Sequence, residues 1–133
     1  MNANHLVSAR TVLNQYVHHL EPDGASFYVH CWGAMPNHYH TLVHKHSFFE
    51  ICYVIKGNGY YLECGCQYPL KENTIFMSRP EILHQIKSET GLSILYVAFE
   101  LNEDRSSAEW RKAHFKAFAL GNGRRSKAQP GWI

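Results

Sequence analysis

Between Leu6 and Leu20 the apolar positions Leu6, Ala9, Leu13, Tyr16, Val17 and Leu20 recur every three or four residues, with polar residues between them. That is the period of one face of an α-helix, and it predicts an amphipathic helix or arm over the first 24 residues. Glu21-Pro-Asp-Gly24 ends it, because proline withholds a backbone donor and Asp-Gly suits a turn. After Gly24 the texture changes to short runs rich in aromatic and β-branched residues, punctuated by turn residues. This is the pattern of a β-sandwich or barrel. Strands are expected near 26–33, 41–46, 50–56, 59–64, 66–70, 74–78, 83–87 and 92–100, and 66–70 is the weakest of these. Lys56-Gly-Asn-Gly59 and Cys64-Gly65 supply the hairpin turns, since glycine takes positive φ without steric cost.

The period returns to helical after residue 105. Ser106-Ser-Ala-Glu109 fits a capping box, in which the Ser106 hydroxyl accepts from the backbone of residue 109 and Glu109 reaches back. A helix is therefore expected from about 107 to Leu120, with Gly121 as terminator. Trp110, Ala113, Ala117 and Leu120 form one apolar stripe on it, while Phe115 and Phe118 lie off that stripe. A helix apolar on more than one face either packs twice within its domain or presents a dimer seam, for which these four residues are the candidates. Residues 122–133 have no periodicity and are expected to form a flexible tail.

Composition adds bounds. The 133 residues have room for one domain, and 45% apolar against 18% charged residues is the balance of a chain that folds. A formal charge of +2 carries no polyanion-binding signature, and the cluster Arg124, Arg125 and Lys127 sits in the tail. Neither a secretion signal nor a long apolar run is present, which points to a cytoplasmic protein without membrane contact. With this much apolar content the core needs no staples, so Cys31, Cys52, Cys64 and Cys66 are expected as thiols.

The chemistry-bearing stretch is His44-Lys-His-Ser-Phe-Phe-Glu50. His44, His46 and Glu50 share strand parity and so one sheet face. On a straight strand His46 and Glu50 would stand roughly 13 Å apart, too far for one ion, so a shared site needs a turn at Ser47-Phe48-Phe49. Those residues are poor turn formers.

The spacing His44-x-His46-x-x-x-Glu50, followed by Gly57, resembles the first cupin motif, and Arg79-Pro-Glu-Ile-Leu-His84 with Gly65 resembles the second. The wording HKHSFFEICYVIKGNGYYL, YPLKENTIFMSRPEILHQI and LYVAFEL is similar to the N-terminal sensing domain of AraC/XylS-type transcription regulators, over residues 26–101. The resemblance implies a mainly β chain. It would be a single cupin-like barrel (a double-stranded β-helix or jelly roll) over 25–104, with an N-terminal helix or arm at 1–24 and a C-terminal helix at 105–121. It also implies a non-enzymatic domain that binds a small-molecule effector, for example a sugar, and forms a homodimer, with DNA bound only through a C-terminal part not in this chain.

Three readings of His44, His46, Glu50 and His84 stay open: ligands of zinc, iron, nickel or manganese, polar lining for the effector, or satisfied packing. Trp32, Tyr61 and Tyr96 join them as candidate effector contacts, since large rings stack on sugars. The alternative function is a small metal-dependent cupin enzyme, an isomerase or dioxygenase, using the same four ligands.

Overall fold

The first helical pattern folds as predicted in kind but shifted in place. In the computed structural model, which describes residues 2–121 and side chains as far as Phe118, helix α1 runs Ala3–Tyr16. Asn2 caps it, its side-chain oxygen accepting the His5 N–H at 2.9 Å. Leu6 is its one fully buried residue. The predicted end of that helix, Leu20, belongs instead to a two-residue strand, β1 (His19–Leu20), paired with β2 (Phe27–His38).

The remaining strands are β3 (Phe49–Gly57), β4 (Gly59–Glu63), β5 (Cys66–Leu70), β6 (Ile75–Ser78), β7 (His84–Lys87) and β8 (Leu92–Leu101). They form two antiparallel sheets, ordered β1-β2-β8-β3-β6 and β5-β4-β7. The chain is thus mainly β, a cupin-type jelly-roll barrel with a helix on either flank. The weakest predicted strand, 66–70, is a full strand, because the Cys64-Gly65 turn takes φ of 51° and 75° and sets its register against β4. The predicted strand at 41–46 is absent. That segment crosses to the other sheet and makes one isolated bridge, His44 to His84.

Alternation of side chains fixes what lies inside. Cys52, Val54, Tyr61, Leu70, Phe76, Ile86, Leu92 and Ile94 form the core cluster between the sheets. Glu50 on β3 and Tyr96 and Ala98 on β8 share the inward parity, with the cross-strand pairs Glu50–Ala98 and Cys52–Tyr96. Phe49, Ile51, Val97 and Phe99 point outward, towards the second helix. Gly33 is placed by close approach: a Cβ there would lie 1.9 Å from the Tyr96 ring.

Helix α2 runs Ala108–Gly121. Its cap is one residue later than the sequence pattern suggests: Ser107 Oγ accepts the Trp110 N–H at 3.2 Å. Ser106 is drawn inward, accepting the Ser26 N–H at 3.0 Å and donating to the Asn102 carbonyl at 2.7 Å, so the capping box at Ser106 and Glu109 does not form. A buried backbone donor outcompetes an exposed helix end. Trp110 fastens the helix, packing edge-on against Phe27 with 5.6 Å between centroids and donating its indole N–H to the Asp23 carbonyl at 3.0 Å. The expected tail at 122–133 and the Leu120 side chain lie outside the described residues.

Candidate functional site

The turn that propensity disfavoured at Ser47-Phe48-Phe49 exists, and His46 makes it. Its Nδ1 donates to the Phe48 carbonyl at 2.8 Å while its ring stacks on the Phe48 ring, 4.3 Å apart and 1° from parallel. The chain therefore bends between His46 and β3, as a shared site requires. Across the gap, His84 begins β7, and its backbone exchanges both hydrogen bonds with His44.

The result is a convergence of three imidazoles. One ring nitrogen from each of His44, His46 and His84 lies within 4.8 Å of the other two. Ring centroids are 4.3 Å apart for His44–His84, 4.9 Å for His46–His84 and 6.1 Å for His44–His46. The tautomers follow from the partners of Nδ1. His44 Nδ1 lies 2.7 Å from the Leu42 carbonyl, His46 Nδ1 2.8 Å from that of Phe48, and His84 Nδ1 2.9 Å from that of Ile82. A carbonyl only accepts, so each Nδ1 carries a hydrogen, which leaves each Nε2 as the atom with a lone pair to offer when its ring is neutral. A ring N–H committed to a backbone carbonyl fixes the orientation of a histidine so that its other nitrogen can face a metal.

Two further facts favour a ligand over plain packing. His46 Nε2 is buried with no hydrogen-bond partner, a cost that packing alone leaves uncompensated. Burial lowers the pKa of His84 to about 4, outweighing its bond to Ile82, and the neighbouring His44 and His46 push it the same way. The ring is thus neutral, the form that binds metals. The donor set, three imidazoles, suits zinc, iron, nickel or manganese.

Glu50, the fourth predicted ligand, is not in the convergent group. Its carboxylate takes a weak bond from the Cys52 thiol at 3.7 Å. Burial raises its pKa, although His46 and His44 pull the other way. Tyr61 is inside, donating its hydroxyl to Ser78 Oγ at 3.2 Å with its ring 5.8 Å from that of His84. Burial, and then the Glu63 carboxylate, push its pKa well up. Tyr96 also faces inward over Gly33, and burial again raises its pKa. Trp32 is not with them. Paired with Val97, it takes the opposite sheet face and donates its indole N–H to the Val17 carbonyl at 3.0 Å, pinning the α1 exit.

The interior is therefore graded: apolar around Val54, Leu92 and Ile94, polar around the histidines, Glu50, Ser78 and Tyr61. Sequence reasoning missed Glu63 and Arg79, a buried ion pair in that polar half. The available signal was an acidic residue at an inward parity of β4, two residues after Tyr61. A separate concavity of about 710 Å³ lies outside the barrel, between the outward face of the larger sheet and α2, and Trp110, Ala113 and Ala117 line it. These three predicted seam residues thus face their own chain's sheet.

A cupin-type barrel with histidines gathered at one end defines the class, and comparison with known proteins defines the family. The family described as AraC-like ligand binding domain matches residues 25–130. The chain belongs to that family, and so is a sensing domain of the AraC type. It is 69% identical over 112 residues to the uncharacterized HTH-type transcriptional regulator YfiF of Bacillus subtilis (strain 168), a match covering 84% of this chain and 36% of that protein. The chain thus spans little more than a third of that relative's length.

Among solved structures it resembles an RmlC-like cupin from Shewanella frigidimarina, with 18% identity, a TM-score of 0.46, and 68% of this chain and 89% of that chain covered. It also resembles a cupin 2 conserved barrel domain protein from Salinispora arenicola, with 15% identity, a TM-score of 0.42, and coverage of 74% and 80%. No helix among the described residues is long and apolar enough to cross a membrane.

Proposed function

We propose that this chain is the effector-sensing part of an AraC-type transcription regulator, and that its small-molecule effector binds at the polar end of the barrel through a divalent transition metal held by His44, His46 and His84. The observation that carries the reading is the convergence of three imidazoles whose Nδ1 atoms are all committed to backbone carbonyls. An ion held by these three ring nitrogens would supply a Lewis-acidic anchor for an oxygen or nitrogen of the effector.

Tyr61 and Tyr96 face the same interior and keep their protons; the Tyr61 hydroxyl hydrogen is committed to Ser78, which leaves Tyr96 as the donor to an effector hydroxyl. Glu50 stands between acceptor and donor roles because burial favours its neutral form. A sugar or hydroxy acid matches such a lining. In this reading residues 25–104 sense, and 1–24 and 105–121 carry the signal. DNA is bound in the cytoplasm by a part of the regulator outside this chain, as a homodimer. Transmission requires only that the effector bind two arrangements of the flanking helices with affinities differing by a few kcal/mol.

A second reading, a metal-dependent cupin enzyme, draws on the same open three-histidine face. Elemental analysis of tag-free protein and of His84→Ala, followed by a thermal-shift panel of sugars and hydroxy acids on the metal-loaded chain, separates the two. Metal lost in the variant, with a ligand shift and no turnover, supports the sensor. Conversion of the ligand would support the enzyme, and absence of metal in the wild type removes the metal from both.

A further inference from the structure

The polar half of the barrel holds an ion pair that the proposed site does not use directly. Arg79 donates through Nη2 to Glu63 Oε2, and the two side chains are 7% and 1% exposed. The pair is only half satisfied, because Glu63 Oε1 and Arg79 Nε are buried without hydrogen-bond partners. A buried pair of that kind contributes little net stability, since desolvation offsets the attraction and apolar replacements of similar volume are often neutral or stabilising. Its place in the fold is more informative than its energy.

Glu63 is the direct cross-strand neighbour of His84. Arg79 opens the corner between β6 and β7 that delivers His84 to the site. The same corner is tied to the other two histidines. The Glu81 N–H donates to the His46 carbonyl at 2.8 Å, the Glu81 carboxylate lies 3.5 Å from the Lys45 ammonium, and His84 exchanges backbone bonds with His44. Glu81 itself sits at φ +64°, a left-handed conformation that a non-glycine residue keeps only where its surroundings enforce it. The corner is thus held at Arg79, at Glu81 and at His84, and Glu63 meets it at both ends.

We propose that Glu63 and Arg79 are positioning residues for the metal centre: their ion pair locks the corner so that His84 Nε2 converges with those of His44 and His46. The inference rests on the three histidines holding a metal, and the experiment separates the two claims.

Cobalt(II), whose visible spectrum reports coordination number and geometry, is titrated into the whole metal-free chain as wild type, as the apolar double variant Glu63→Leu/Arg79→Met, and as the near-isosteric single variant Glu63→Gln. Metal-free melting temperatures are recorded for each. The expected result is wild-type binding, metal-free melting of the double variant within a few degrees of wild type, and roughly 10–100-fold weaker cobalt binding with an altered spectrum in the double variant. Glu63→Gln, which keeps the shape of the side chain, should weaken binding and alter the spectrum in the same direction. If the double variant does not fold, the Glu63→Gln spectrum and affinity decide alone. Wild-type affinity and spectrum in every folded variant would overturn the positioning role and leave the metal reading intact. Failure of the wild type itself to bind cobalt would overturn both.

Discussion

His44 and His84 each donate a backbone N–H to the other's carbonyl, at 3.0 and 2.8 Å, across the antiparallel bridge that joins the segment before β3 to β7. The backbone, not the imidazoles, brings these two rings to 4.3 Å between centroids. The site is therefore preformed, and removing a ring leaves its scaffold in place.

Replacement of His44 should accordingly separate ligation from folding. His44 reaches the solvent side and its bridge to His84 is main chain, so His44→Ala is expected to change metal-free stability by no more than about 0.5 kcal/mol, the usual range for surface positions. Metal content should fall from about one equivalent to a small fraction of it. His84→Ala empties a buried position and should cost more stability, on the order of 2 kcal/mol, as well as the metal. Elemental analysis and chemical denaturation of the two variants check this. Retention of stoichiometric metal in both would show that the imidazoles are packing.

Acid should destabilise the metal-free chain in a window set by His84. Its folded pKa of about 4 lies below the ordinary 6.5, so between those values the unfolded chain binds the proton and the folded chain does not. This contribution to stability is present above about pH 6.5, falls as the pH drops, and levels off below about pH 4. The total loss is up to about 3 kcal/mol from a shift of this size. Urea midpoints of wild type and His84→Asn across that range measure it, and the expected difference is a flatter profile in the variant. Parallel profiles would place the acid sensitivity elsewhere.

Much of the barrel was legible because its information is local. Gly57 at φ +100° and the Cys64-Gly65 turn fix β3, β4 and β5 by backbone chemistry that sequence displays directly. The site was legible only as a set of residue types. No residue with turn propensity stands at Ser47-Phe48-Phe49. The turn is made by the His46 ring bonding to and stacking on Phe48, and by the Glu81 N–H reaching the His46 carbonyl from 35 positions away in the sequence. The predicted strand at 41–46 failed for the same reason. Thr41 is held by Ile86 and His44 by His84, so the segment serves the second sheet instead of extending the first. Trp32 lies on the outward face because a bulge between Val29 and Cys31 inverts the alternation along β2.

Besides the buried Leu6 and the Trp32–Val17 bond, one residue of the N-terminal helix acts as a substitute strand. Asn14 donates through Nδ2 to the Trp32 carbonyl and accepts the Trp32 N–H at Oδ1, both at 2.8 Å, so its amide satisfies a backbone unit of β2. Asn14→Ala is expected to cost about 1–2 kcal/mol at that contact, to raise amide hydrogen exchange over residues 3–16, and to leave exchange in β3 and β8 unchanged. Uniform loss of protection across the barrel would mean that α1 is part of the cooperative core and not a separately releasable element.

The two faces of α2 predict opposite behaviour for neighbouring substitutions. Ala113 and Ala117 look into the apolar groove over Phe49, Ile51 and Val97, whereas Phe115 is 71% exposed. A carboxylate at the half-buried position 117 would enter that mostly apolar groove, with the His114 ring and the Glu21 carboxylate in its lining, so Ala117→Glu is expected to destabilise the fold by on the order of 1 kcal/mol whatever the oligomeric state. Phe115→Ser removes an exposed ring that supports no core packing. It should leave the stability of the monomer unchanged while shifting the proposed homodimer towards monomer in sedimentation velocity. Should Ala117→Glu dissociate a dimer with no loss of monomer stability, and Phe115→Ser leave assembly untouched, the seam would lie along the Trp110, Ala113 and Ala117 stripe and α2 would have to lift from its own sheet to form it.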